Sequence, residues 1–250
     1  RDSVYNDGLW WSSDAASNDI QEFIDYYSVL DYLPELTSFD SEKSAFISVD
    51  NDTTHSGQEL QAPDFVPAMK VTDKGPAEIA KWSSIPGNIA AFKRIGEWIE
   101  YLKKNGCYDN TRIILVADHG IGTGEGKDQT FQKSFFDTWK RDYNPDHLHP
   151  LLMVKDFNAK GKLAINTDFM TNGDVPAIAL KGVVENPVNP FTGKEIKEIS
   201  PAKKTASGVV LTHNWRPGAN TPFTFKVPED DWYTVSKDIS KPENWQKGIK

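Results

Sequence analysis

The sequence predicts an α/β chain in which a mostly parallel sheet is flanked by helices and followed by an irregular, β-leaning C-terminal tail. Three observations carry this prediction. Residues 87–105 place Ile89, Phe92, Ile95, Ile99 and Leu102 on one helical stripe. Thr111 to Ala117 (TRIILVA) then forms a nearly all-apolar run, as in strands of parallel sheets covered on both faces. A helix, a short Asp-Asn turn and a buried strand in that order make half of a βαβ unit.

The elements follow in chain order. Asn18 or Asp19 suits the cap of a helix with Ile20, Phe23, Ile24, Tyr27 and Leu30 on one face, ended or kinked by Pro34. Ala45 to Asp50 (AFISVD) reads as a short buried strand. Residues 51–88 are rich in Pro, Gly, Asp and Ser and read as a surface excursion. Pro86 suits the first turn of the 87–105 helix, Gly106 its C-terminal cap, and Trp98 its core side. After a glycine-rich loop come a helix over 129–141, a buried strand at Leu151–Val154, and a helix over Thr171–Val184 with Pro176 near its first turn. From 186 onward short β-like runs occur at 208–212, 222–227 and 232–236. The organisation expected is an α/β body over 1–185 and an extension of the same domain over 186–250.

Composition narrows the function. The 250 residues are ample for a buried core. Lys plus Arg is 28 against 36 Asp plus Glu, a net charge of −8, which disfavours nucleic acid or an anionic membrane surface as partner. No apolar run approaches the roughly 20 residues that span a bilayer, and a soluble chain is expected. Cys107 is the only cysteine, so neither a disulfide framework nor a cysteine zinc site is available. The chain opens on Arg1 rather than Met, and the expectation is a piece of a longer protein.

The sharpest chemical signal is Asp118-His119-Gly120 at the C-terminal end of the 111–117 strand. Ligands in open α/β sheets bind at that edge, and an adjacent carboxylate and imidazole suit a divalent ion. The alternative is a turn in which Asp118 caps the loop and His119 is simply hydrogen-bonded. The loop Gly120–Gly126 lets backbone approach a ligand, but it lacks the Gly-Lys-Ser/Thr ending of a phosphate-binding loop. His55, after the 45–50 strand, shares the edge of Asp118 if the two strands are parallel, and otherwise is an exposed loop residue. His147 and His149 precede the 151–154 strand, either as a pair on one face of an extended segment or as a histidine packing at the strand entrance, and they stand at the opposite sheet edge unless the loop returns. His213 is a weaker candidate, and Trp10, Trp11 and Trp215 are sugar-stacking platforms or, more in keeping with their scatter, surface cover or an interface to chain not contained here.

The run Asp109-Asn110-Thr111-Arg112-Ile113-Ile114-Leu115-Val116-Ala117-Asp118-His119-Gly120 resembles the signature of the sulfatase branch of the alkaline phosphatase superfamily. The preceding amphipathic helix and the upstream segment Phe46 to His55 match as well. His149–Phe157 and Met170–Pro176 are similar to segments of a bacterial, membrane-anchored subgroup related to lipoteichoic acid synthases. The likeness covers roughly residues 15–195.

The resemblance implies a partial alkaline phosphatase-like fold and a metal-dependent attack on phosphorus or sulfur by a Thr, Ser or formylglycine. It implies Asp118 and His119 as ligands of a divalent metal (Mn, Zn, Ca or Mg), His55 as the substrate-side histidine, and His149 as a further active-site residue. The substrate is then a phosphate or sulfate ester, lipid- or glycan-linked, handled outside the cell by a parent whose membrane anchor lies in segments this chain does not contain. The family's nucleophile pattern finds only Ser84-Ile85-Pro86-Gly87-Asn88, which lacks the Arg and follows His55. Cys107 lacks the context too, so no nucleophile is expected in this chain, metal binding is expected to be weak, and turnover absent. The competing reading is a non-catalytic, extracytoplasmic glycan- or polymer-binding domain with a degenerate site.

Overall fold

A computed structural model describes residues 18–39, 42–55, 59–81, 84–120, 148–210 and 232–248. Two compact units divide between Thr111 and Arg112. Outside the described residues lie the expected helix over 129–141, the β-like run at 222–227, most of the glycine-rich loop, and Trp10, Trp11, His147, His213 and Trp215.

The first unit is helical. Helix α1 (Asn18–Asp31) carries the expected face: Phe23, Ile24, Tyr27 and Leu30 are buried. The short α2 (Leu33–Leu36) has Pro34 in its first turn, where the missing N–H costs nothing. A two-residue antiparallel pair, β1 (Leu60–Gln61) with β2 (Val66–Pro67), and a short α3 (Ala77–Ala80) precede α4 (Ile85–Lys104). Phe23, Ile24 and Tyr27 form a core with Leu60, Ala62, Phe65 and Ala90. The face of α4 differs in detail from the predicted stripe. Gly87, Ala90, Ala91 and Leu102 are its buried residues, whereas Phe92 is exposed. Small side chains on α4 let the large residues of α1 fill the space between the helices. Trp98 is half-buried and donates to Thr37 Oγ1 at 2.9 Å.

The helix end follows the sequence reading. Gly106 has φ +72°, its N–H reaches Lys103 O at 3.1 Å, and Cys107 N–H reaches Leu102 O at 3.0 Å. This left-handed termination satisfies the last carbonyls. Gly75 is also required: its φ is +86°, and a Cβ there would lie 3.1 Å from Phe65 Cζ.

Residues Ala45–Asp50 do not form the predicted buried strand. They have no ladder partner among the described residues and are exposed, Phe46 and Ile47 at 81% and 77%. A short apolar run specifies neither a partner nor a covering layer.

In the second unit, β3 (Ile113–Val116) and β4 (Leu152–Lys155) occupy the two predicted apolar runs. They pair antiparallel, from Ile113 opposite Lys155 to Val116 opposite Leu152. Every strand pair among the described residues is antiparallel, so the mostly parallel sheet expected from the sequence is not what these residues form. Only Ile113 of β3 is buried, and Val116 is exposed. The all-apolar run therefore did not report two covered faces.

The predicted helix over Thr171–Val184 is shorter. A 3₁₀ turn (Asn172–Asp174) leads into α5 (Val175–Leu180). The β-leaning tail forms an antiparallel sheet of β5 (Thr205–Val210), β6 (Trp232–Ser236) and β7 (Trp245–Lys247), in that order. Tyr233, Val235 and Trp245 bury their side chains against Phe169.

Candidate functional site

The end of β3 carries the candidate site. The ladder continues one step past Val116, where Ala117 N–H donates to Leu151 O at 3.0 Å. Asp118 and His119 follow, both exposed. Asp118 Oδ1 accepts the N–H of His119 at 2.8 Å, so part of the carboxylate does cap the turn. The other oxygen, Oδ2, faces His119 Nε2 at 3.7 Å.

The opposite ring nitrogen decides what that pair can do. His119 Nδ1 lies 2.6 Å from Gly120 O. A carbonyl only accepts, so Nδ1 carries the proton, and the neutral ring keeps its lone pair on Nε2. This is the tautomer a metal-ligating imidazole needs, fixed by a backbone carbonyl. Two ligand atoms each about 2.1 Å from one ion stand about 3.4 Å apart at a tetrahedral angle. The 3.7 Å between Oδ2 and Nε2 matches that spacing with a slightly wider angle. A hard oxygen and an imidazole nitrogen thus fit a divalent ion. Among the described residues no group of three or more His, Cys, Asp or Glu side chains adds to them.

The antiparallel direction of β4 moves His149. Residues preceding β4 stand at the same end of the ladder as residues following β3, not at the opposite edge as a parallel sheet would require. His149 is exposed. It lies close enough to Asp238 to contribute to that carboxyl's lowered pKa, whose main causes are hydrogen bonds from the Ser240 hydroxyl and N–H.

His55 belongs to the first unit, Asp118, His119 and His149 to the second. Its N–H closes a turn on Asp52 O at 2.9 Å. That turn is tied to α1, because Asn51 Nδ2 donates to Tyr26 O at 2.8 Å and Asn51 Oδ1 accepts from Thr53 N–H at 3.1 Å. The His55 side chain is exposed. Cys107 and Ser84 sit at the two ends of α4 and belong to its termini.

Two residues that the sequence did not single out hold the edge in place. Asn172 Nδ2 donates to Ala117 O at 2.9 Å and Asp118 O at 3.2 Å. At the other end of β3, Arg112 places Nε and Nη2 on Asp156 Oδ1 at 2.9 and 2.8 Å. Its Nη1 reaches the carbonyls of Ile178, Ala179 and Lys181 at 2.8–3.0 Å, and its guanidinium lies 4.4 Å from the Phe157 ring centre. Arg112 thereby satisfies the orphan carbonyls at the end of α5, where a cation is also favoured by the helix dipole. A charged residue opening an apolar strand was the only available signal.

The family model for type I phosphodiesterase / nucleotide pyrophosphatase matches residues 92–248. The match takes in most of α4, the Asp118-His119 edge, His149, α5 and the C-terminal sheet, and it begins after His55. No curated protein and no solved structure matches the chain. No helix among the described residues is long and apolar enough to cross a membrane. The match covers well over half of the sequence, so the chain belongs to the type I phosphodiesterase / nucleotide pyrophosphatase family, within the alkaline phosphatase superfamily.

Proposed function

We propose that the chain carries the metal-ligating edge of a sulfatase-like catalytic domain that cleaves or transfers a phosphate or sulfate ester, with phosphoesters favoured. The observation that carries the reading is the Asp118-His119 pair at a strand end, with its imidazole tautomer set by Gly120 O. The family match favours phosphorus over sulfur. A bound divalent ion (Mn, Zn, Ca or Mg) would polarise the ester oxygen and neutralise its charge.

The chain's own residues have separate tasks. Asp118 Oδ2 and His119 Nε2 present the ligand atoms, and Gly120 O holds the proton on Nδ1. The resemblance of Phe46 to His55 assigns His55 to the transferred group or the leaving oxygen. His149 is a further active-site residue at the same strand edge as Asp118. No residue occupies the nucleophile's sequence context, so the reading assigns no turnover to this chain by itself. Residues 1–185 form the catalytic portion and 186–250 its extension; the family match runs across that division. A lipid- or glycan-linked substrate outside the cell, and a membrane-anchored parent, follow from the likeness of residues 109–120, 149–157 and 170–176 to the lipoteichoic acid synthase subgroup.

The test uses the purified chain with manganese, bis(p-nitrophenyl) phosphate and p-nitrophenyl sulfate. Neither substrate should turn over, and inorganic phosphate should bind more tightly than sulfate only when manganese is present. Metal-dependent turnover lost in Asp118→Ala would overturn the assignment of a missing nucleophile. Equal binding of the two anions would remove the preference for phosphorus.

A further inference from the structure

We propose that Asn172 is a positioning residue that fixes the backbone of Asp118 for metal ligation; the inference rests on the metal reading of Asp118 and His119. The carboxamide of Asn172 donates to the carbonyls of Ala117 and Asp118, at 2.9 and 3.2 Å. Those two carbonyls belong to the peptide planes on either side of the Asp118 Cα. Holding both planes fixes the two soft torsions of that residue. The Asp118 side chain is 88% exposed, so packing does not set its direction. The hydrogen bond from His119 N–H to Oδ1 at 2.8 Å does, and its geometry depends on the backbone torsions that the Asn172 clamp holds.

The clamp is itself anchored. Asn172 opens the 3₁₀ turn whose preceding residue, Thr171, forms a reciprocal capping box with Asp174. Thr171 N–H donates to Asp174 Oδ2 at 2.7 Å. Asp174 Oδ1 pairs with Lys204 Nζ at 2.8 Å, and both side chains are buried, 11% and 6% exposed. Satisfied buried ion pairs of this kind fix one geometry. At its far end α5 is tied to the start of β3 by Arg112 through the carbonyls of residues 178, 179 and 181. The segment from Asn172 to Lys181 therefore braces β3 at both ends, with the Asn172 end on the residue that carries the ligand. Outer partners that orient metal ligands are worth about 10–100-fold in metal affinity.

The experiment follows the amides of Asp118 and His119 by nitrogen-15 relaxation and by manganese-induced line broadening, in the whole chain. Wild type is compared with Asn172→Ala, Asn172→Asp and Asp118→Ala. Asn172→Asp keeps the shape but offers only acceptors where donors are needed. In both Asn172 variants the order parameters of Asp118 and His119 should fall while those of Ile114 and Leu115 stay unchanged. The manganese concentration for half-broadening should rise about tenfold or more. Unchanged order parameters and an unchanged titration in both variants would overturn the proposal. The metal reading fails separately, if His119 is not broadened in wild type or is broadened equally in Asp118→Ala; the order parameters still decide the clamp.

Discussion

Replacing Arg112 by alanine should loosen α5 by about 3 kcal/mol. The guanidinium side chain is only 8% exposed. Its Nη1 faces three carbonyls with two hydrogens, which amounts to about two charge-assisted bonds of about 1.5 kcal/mol each. Asp156 is half exposed, so that ion pair adds at most about 1 kcal/mol. The stack on Phe157 adds about 0.5–1 kcal/mol. Water recovers part of the total of about 4–5 kcal/mol by reaching the freed carbonyls, which leaves about 3 kcal/mol. Native-state hydrogen exchange reads this locally. The α5 amides of Ala179 and Leu180 should exchange about 150-fold faster, since about 1.4 kcal/mol is tenfold. Amides of α4 near Ile95 serve as the control in the other unit. Arg112→Lys should fall between the two, because it keeps the charge and loses the planar fork. A change of less than twofold at the α5 amides in Arg112→Ala would refute the reasoning.

Lys204→Met strands the buried Asp174 carboxylate and should cost about 3–5 kcal/mol in denaturant unfolding, with part recovered in the double variant Lys204→Met/Asp174→Asn. Gly75→Ala forces a left-handed residue with its Cβ 3.1 Å from Phe65 Cζ and should destabilise the first unit by about 1–2 kcal/mol in urea. The Arg112 hydrogen bond, with the Phe157 N–H, holds the Asp156 carboxyl below its ordinary range. Its folded value is lowered, so this contribution to stability is complete above the unfolded value of about 3.9 and is lost as the pH falls through the folded one. Acid titration of wild type and Asp156→Asn should show the stability gap closing below about pH 4.

Period and punctuation made the helices legible. The 3.6-residue spacing from Ile20 to Leu30 placed α1, and Pro86 and Gly106 bounded α4. The apolar runs located β3 and β4 but not their relative direction. An all-apolar strand reports burial at best, and the helix and Asp-Asn turn before it make only half of a βαβ unit, which leaves the direction of the next strand open. Ala45–Asp50 shows the same limit, since its apolar content has no partner strand among the described residues. At the site, Asp118 and His119 were legible because they are adjacent and end a strand. Asn172 and Arg112 were not, because each acts on carbonyls more than fifty residues away in sequence. Backbone acceptors are present at every position, so no spacing rule reveals which are used. The place of His149 depended on strand direction, and changed when the pairing proved antiparallel.

Manganese binding to the purified chain and to Asp118→Ala, followed by the electron paramagnetic resonance of the free ion, tests the central claim most directly. The account gives one weak site in the wild-type chain that Asp118→Ala abolishes. Stoichiometric binding of the same affinity in the variant would contradict it, and would remove Asp118 and the β3 edge from the metal site.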